Sequence, residues 1–271
     1  MASIHANGID MYYEIHGEGE LVVFIAGLAG DHANWLATVD ALKTRYRCLI
    51  FDNRGMGQTD HPDGEYTTRL YAKDTAKLME ATGFGQAHIV GLSMGACIAQ
   101  ELCLGYPNKV RSMMLISGWA RPDHYFSELI RLWIWVAENT PSPVPWHYGN
   151  LWSFSHRLYN ETPEKLQAII DGVIEAQIEI PAFVRQAHSL LTHDALDRLH
   201  LVMAPTMILV GSEDILTPPQ LSRELHQAIP GSQLKLLDGQ PHAFPLEDPQ
   251  LLTSEILNFL SAVDGVPGAR R

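Results

Sequence analysis

Gly91-Leu92-Ser93-Met94-Gly95 is the stretch whose reading decides the fold. It lies between a short apolar run, His88 to Val90, and a helix-compatible segment, Ala96 to Tyr106. A strand that bends sharply into a helix lifts the central serine to the tip of a strained turn. Glycines flank it because a Cβ there would collide with neighbouring backbone. That geometry exposes a nucleophile. The bare G-x-S-x-G pattern is common; its weight comes from the strand–turn–helix order around it and from an Asp and a His later in the chain, in the order Ser, acid, His.

Outward from this turn, apolar runs with β character recur at Leu21–Ile25, Cys48–Phe51, His88–Val90, Met113–Ile116, Met207–Val210 and Leu234–Leu237. Helix-compatible segments separate most of them, at Trp35–Thr44, Thr68–Thr82, Ala96–Tyr106, Gln220–Ala228 and Gln250–Ala262. Continuous rather than alternating apolar strands predict an α/β fold: a mostly parallel, twisted sheet with helices on both faces. Residues around Ile4 and Met11–Ile15 predict an antiparallel pair at one edge. Between Trp119 and about Met203 the strand rhythm stops. Helix-like pieces at Tyr125–Asn139 and Glu164–Glu179, a proline-rich bend at Thr140–Pro145 and a mixed stretch at Phe183–Leu199 predict an inserted helical cap. The expected organisation is a core of residues 1–118 and 204–264, a cap of residues 119–203 enclosing a pocket, and a loosely ordered tail at 265–271.

A chain of 271 residues is long enough for one sizeable core with an elaboration. Its net charge of −12 argues against a nucleic-acid surface. The most apolar later stretch, Leu129 to Ala137, is far too short to cross a bilayer, so no membrane span is expected. The start Met1-Ala2-Ser3-Ile4-His5 has neither the basic opening nor the apolar run of a secretory signal, which predicts a cytoplasmic protein. Cys48, Cys97 and Cys103 are odd in number and read as buried thiols.

A serine hydroxyl needs a general base within hydrogen-bond reach and a third group to orient that base. Gly211-Ser212-Glu213-Asp214 follows the Met207–Val210 strand, and Asp238-Gly239-Gln240-Pro241-His242 follows the Leu234–Leu237 strand. Both acid and histidine therefore belong to the carboxyl-end rim that carries Ser93, where ligands of open α/β sheets collect. Asp214 is the candidate orienting acid, with Glu213 and Asp123 as rivals, and His242 is the candidate base. The oxyanion of a tetrahedral intermediate needs donors: the backbone N–H of Met94, after the nucleophile, and one from Ala26-Gly27-Leu28-Ala29-Gly30, with Leu28 the candidate.

Together the serine elbow, Gly211-Ser212-Glu213-Asp214 with Pro218, and Pro241-His242 resemble the α/β-hydrolase superfamily over nearly the whole chain. Phe51-Asp52-Asn53-Arg54-Gly55-Met56-Gly57 is similar to a loop of its cofactor-independent esterases and lactonases. Leu115-Ile116-Ser117-Gly118-Trp119 is similar to the cap opening of aminoacrylate hydrolases and enol-lactonases. Many relatives have His-Gly where this chain has Ala26-Gly27, a departure that leaves backbone donors intact. The resemblance implies a cofactor-independent serine hydrolase acting on a small apolar or aromatic ester or lactone. Carbon–carbon, amide or carbamate hydrolases, perhydrolases and cofactor-free oxygenases use the same three side chains, and a ligand receptor on the same fold would retain them without turnover. Serine at the nucleophile position disfavours haloalkane dehalogenase and epoxide hydrolase chemistry.

Asp52 and Arg54, in a charged turn followed by Gly55 and Gly57, read as scaffold. His88 reads as structural. The remaining histidines show no familiar ligand spacing, so no catalytic metal is expected. Trp119, Trp133 and Trp152 are candidates for the pocket wall, and Arg121, Arg131 and Arg157 for binding a substrate carboxylate. The sequence sets no oligomeric state.

Overall fold

The computed structural model describes residues 2–265; apart from Gly265, the expected tail lies outside the described residues. Eight strands form one sheet: β1 (Ala2–Ala6), β2 (Ile9–His16), β3 (Leu21–Ile25), β4 (Arg47–Phe51), β5 (Ala87–Leu92), β6 (Val110–Ile116), β7 (Thr206–Gly211) and β8 (Gln233–Leu237). Their spatial order is β1-β2-β4-β3-β5-β6-β7-β8. β1 and β2 form an antiparallel hairpin closed by Asn7-Gly8, both at positive φ, the pair favoured in a two-residue turn that matches strand twist. β2 runs antiparallel to β4, and every other pairing is parallel. The carboxyl ends of β3, β5, β6, β7 and β8 therefore share one rim.

Every residue of β3 and β5 is buried, which is why these strands read as unbroken apolar runs. Alternate residues serve opposite faces. Val23, Ile25, Ile89 and Leu115 pack with α2 (Thr68–Ala81), α3 (Met94–Gly105) and α9 (Pro219–Ala228). Val22, Phe24, Val90 and Met114 pack instead with α1 (Leu36–Leu42) and α11 (Pro249–Val263). The three cysteines are free and buried, and burial pushes the Cys48 thiol up to about 12 and Cys103 to about 11, out of the range of a working nucleophile.

Between β6 and β7 the described residues contain no strand, only α4 (His124–Asn139), α5 (Val144–Ser153), α6 (His156–Glu161), α7 (Pro163–Glu175), α8 (Ile180–Thr192) and a 3-10 turn at Leu196–Leu201. The expected proline-rich bend runs directly into α5, because Pro145 falls in the first helical turn, where a missing N–H costs nothing. Ser155 caps the short α6 by accepting from Leu158 N–H at 3.0 Å. α4 and α5 meet through an indole: a Cβ at Gly149 would run into the Trp133 ring, whose Nε1 donates to Pro145 O at 3.0 Å. No helix among the described residues is long and apolar enough to cross a membrane.

His193 ties the end of α8 to the core. Its ring meets Thr68 Oγ1 at 2.9 Å and Gln100 Oε1 at 3.4 Å. Gln100 Oε1 only accepts, so Nε2 carries the proton and Nδ1 takes the Thr68 hydroxyl. Burial pushes the imidazole down to about 4, against the pull of the Glu101 carboxylate. The unfolded chain therefore binds a proton here before the folded one does. The contribution is complete above pH ~6.5 and is lost as pH falls toward 4, by roughly 3 kcal/mol at about 1.4 kcal/mol per unit. Urea unfolding across pH 4–7 should show His193→Gln with a correspondingly shallower acid loss than wild type; parallel curves would refute this assignment.

Candidate active site

At the carboxyl end of β5 the chain turns at Ser93, whose φ of 56° and ψ of −116° lie outside the regions comfortable for a residue with a Cβ. The turn survives because its surroundings leave no alternative. Ser93 N–H donates to Ile116 O of β6 at 2.8 Å. A Cβ at Gly91 would strike the Gly95 carbonyl, and one at Gly95 would strike the Ile25 carbonyl at the end of β3. Only glycines let β3, β5 and α3 approach so closely. Ser93 is thereby pinned by backbone packing, with its side chain on a cavity wall.

The other two predicted side chains arrive from β7 and β8. His242 Nδ1 meets Asp214 Oδ2 at 2.9 Å, both groups buried. Glu213, the neighbouring rival, is exposed, and Asp123 is occupied as the cap of α4, accepting from Phe126 N–H at 2.8 Å. Asp214 Oδ1 accepts from Thr217 N–H at 2.7 Å, and Thr217 Oγ1 lies 2.9 Å from Asp214 Oδ2, 2.9 Å from His242 Nδ1 and 3.0 Å from Ser117 O. The one hydroxyl proton of Thr217 serves either Asp214 or Ser117. Thr217 carries no role in the sequence reading, although its place three residues after Asp214 is that of an amide met by a capping carboxylate, which is the signal that finds it. Among the described residues Ser93 Oγ makes no hydrogen bond to His242; both line the same cavity, and catalytic contacts of this kind tighten on substrate binding.

The loop after β3 presses against Ser93: a Cβ at Gly27 would sit 3.3 Å from Ser93 Cβ. Asn53 Nδ2 holds this loop through Ala26 O at 3.2 Å, a contact that asks nothing of the Ala26 side chain and so accommodates the absent histidine. The backbone N–H groups of Leu28 and Met94 have no hydrogen-bond partner among the described residues. Donors left free beside a serine suit an incoming oxyanion.

The cavity beneath the cap holds about 350 Å³. Its walls include Leu28, Phe126, Ile130, Trp133, Trp146 and Phe154. Of the three predicted tryptophans only Trp133 lines it. Trp119 is fully buried against Phe126, with ring centroids 4.4 Å apart, and Trp152 packs with Tyr148 off the cavity, since a helical periodicity does not tell core-facing from pocket-facing indoles. Arg121, Arg131 and Arg157 are all exposed and away from the lining, where water solvates them at no desolvation cost. Among the described residues no lysine or arginine lines the cavity, and the one lining carboxylate is Asp31, held above its ordinary range by burial and by the neighbouring Asp52 charge.

Asp52 and Arg54 are structural in their contacts. Asp52 Oδ1 takes His32 Nδ1 at 2.7 Å and Oδ2 takes Gln58 N–H at 2.9 Å. Arg54 forms a two-pronged pair with Asp74 at 2.8 and 2.6 Å. Asp31, His32 and Asp52 each offer a potential metal-ligand atom within 4.8 Å of the others, but His32 and Asp52 are already bonded to each other. His88, fully buried, bonds Ser112 Oγ at 2.8 Å far from the rim.

A family model described as alpha/beta hydrolase fold matches residues 20–249. "Putative carbamate hydrolase RutD" of Azorhizobium caulinodans is 27% identical over 97% of this chain and 100% of its own length. "Putative non-heme bromoperoxidase BpoC" of Mycobacterium tuberculosis is 30% identical over 94% of this chain and 99% of its own. Among solved structures, a thermophilic esterase from Thermogutta terrifontis superposes with a TM-score of 0.84 at 25% identity, covering 97% of this chain and 98% of that one.

The packing of β3 against α3 carries a measurable consequence. Gly95→Ala should destabilise the fold by about 3 kcal/mol in urea unfolding, because the new methyl meets a strand carbonyl rather than a movable side chain. A cost under about 1 kcal/mol would contradict the crowding described.

Proposed function

The chain belongs to the alpha/beta hydrolase fold family, and from that premise we propose that it is a serine hydrolase of small, uncharged carboxylic esters or lactones, working through an acyl-enzyme on Ser93. The observation that carries this reading is that Ser93, His242 and Leu28 open onto one apolar cavity, with Asp214 bonded behind His242.

Ser93 Oγ attacks the carbonyl carbon while its proton passes to Nε2 of His242. Asp214, accepting from Nδ1–H, favours the tautomer whose Nε2 lone pair faces the serine and then stabilises the imidazolium. The carbonyl π electrons move to oxygen, which takes the N–H groups of Leu28 and Met94. On collapse the carbon–oxygen bond to the leaving group breaks, and that oxygen takes the proton from His242. Water repeats the sequence on the acyl-enzyme, giving the acid and free Ser93.

The substrate class follows from the walls. Trp133, Trp146, Phe126 and Phe154 favour apolar or aromatic acyl groups, and the absence of lysine or arginine from the lining, with Asp31 present, disfavours an anionic one. Likeness to an esterase supports an ester, and likeness to a putative carbamate hydrolase makes a carbamate the second reading. The partner is a small molecule, and residues 119–203 act as the cap that selects it.

Intact-protein mass spectrometry with a fluorophosphonate probe should find one adduct, at Ser93, and Ser93→Ala should lose both adduct and ester turnover. Full turnover in the folded variant would sink the mechanism, and thermal stabilisation by esters without turnover would favour a receptor. For substrate charge, kcat/KM for p-nitrophenyl butyrate should exceed that for p-nitrophenyl hemisuccinate at least ~10-fold, the order reversing if the cavity reads anions.

A further inference from the structure

We infer that Gln186, on the cap helix α8, is a positioning residue for the oxyanion hole, setting the backbone of the loop that carries the Leu28 N–H. The inference rests on the acyl-enzyme mechanism proposed above and deepens it: the cap takes part in the chemistry as well as in selecting substrate.

Gly27 to Gly30 form a four-residue turn closed by Gly30 N–H on Gly27 O at 3.2 Å. Ala29, its third residue, has φ of 59°, while Leu28, its second, is not among the positive-φ residues. That combination is a type II turn, which normally takes glycine where this chain has Ala29. Type I and type II turns differ by a half-rotation of their middle peptide, here Leu28–Ala29, and alanine by itself favours type I. Something outside the loop must hold the peptide over.

Gln186 does so. Its Oε1 accepts the Ala29 N–H at 3.3 Å, and its Nε2 donates to Arg54 O at 3.2 Å. The side chain is fully buried, so the amide has no water to turn toward. The Arg54 carbonyl is itself anchored, receiving Tyr71 OH at 3.3 Å. One turn along α8, Ser189 Oγ donates to Gln186 O at 2.6 Å and touches Met94 Sδ at 3.9 Å. A single stretch of the cap thus reaches Ala29, the neighbour of Leu28, and the side chain of Met94. Without the acceptor, the Ala29 N–H would be left unpaired and the Leu28–Ala29 peptide free to rotate, loosening the turn whose preceding peptide carries the Leu28 N–H. Oxyanion donors act through preorganisation, so a small displacement weakens the bond to the charged intermediate more than any contact with the neutral substrate.

The test compares Gln186→Met, which keeps the length and removes the amide, with Gln186→Glu, which keeps an acceptor for Ala29. Q186M should lose at least ~10-fold in kcat with KM for p-nitrophenyl butyrate within about twofold. Its affinity for a trifluoromethyl ketone, which adds to Ser93 as a hemiketal oxyanion, should fall in parallel, and Q186E should stay within about threefold of wild type on both measures. Folding is checked by circular dichroism and melting. A folded Q186M with wild-type kcat and ketone affinity overturns the inference, as does a kcat loss without loss of ketone affinity. If Q186M does not fold, a folded Q186E with a ~10-fold loss overturns it and near-wild-type behaviour supports it. In the wild type, hydrogen exchange should find the Ala29 amide protected and the Leu28 amide open; the reverse also overturns it. Ester turnover that survives Ser93→Ala fails the mechanism itself, a result distinct from an unchanged Q186M in an enzyme that depends on Ser93.

Discussion

Everything in this site depends on the backbone at Ser93 being held where a residue with a side chain does not rest easily. Such a conformation costs about 1–3 kcal/mol and persists only where the surroundings over-determine it. Here those surroundings are the Ile116 carbonyl of β6, which takes the Ser93 N–H, and the glycines that let α3 sit against β3 and β5. The strain is carried by a sheet buried on both faces. In return Ser93 has a fixed position that owes nothing to loop order, and α3 begins at the next residue, so the Met94 amide lies in the positive end of the helix dipole.

The remaining groups are brought to that fixed point by parallel strands. Register pairs Ile25 with Gly91, Leu92 with Ile116 and Gly211 with Leu237, so the loops that follow β3, β5, β7 and β8 emerge on one rim. On it Asp214 is buried and satisfied by His242 and by the amide of Thr217, which keeps a carboxylate oriented without solvent. Ser117, at φ 52° after β6, offers its carbonyl to the same Thr217 hydroxyl and links the relay to the central sheet. The cap is fastened to the core by polar side chains with no freedom to reorient: Gln186 between Ala29 and Arg54, and His193 between Thr68 and Gln100.

Much of this is legible in the sequence. The central parallel strands declare themselves because burial on both faces demands unbroken apolar runs, and the observed boundaries extend the expected ones by at most a few residues; β8, at the sheet edge, buries only Leu237 fully. Ser93, Asp214 and His242 were legible because a sharp strand–helix turn needs glycines and the rim loops are short. Thr217 was visible as a turn residue but not as a neighbour of His242. α5 is hidden in the sequence because a proline-rich start conceals a helix whose Pro145 sits harmlessly in its first turn, and α6, six residues long, is too short to show a helical period.

The sequence by itself determined the layered sheet, the strained turn at Ser93 and the positions of Asp214 and His242, because each rests on local chemistry: apolar runs, glycines at a crowded turn, an acid and a histidine just past strand ends. Tertiary structure alone decided which wall of each cap helix faces the cavity, choosing Trp133 and Trp146 over Trp119 and Trp152, and left Arg121, Arg131 and Arg157 in solvent. It also brought Gln186 to Ala29 across 157 positions of chain. Helical periodicity marks which residues are buried, but what they are buried against is set by how whole helices pack, and no short stretch of sequence encodes that.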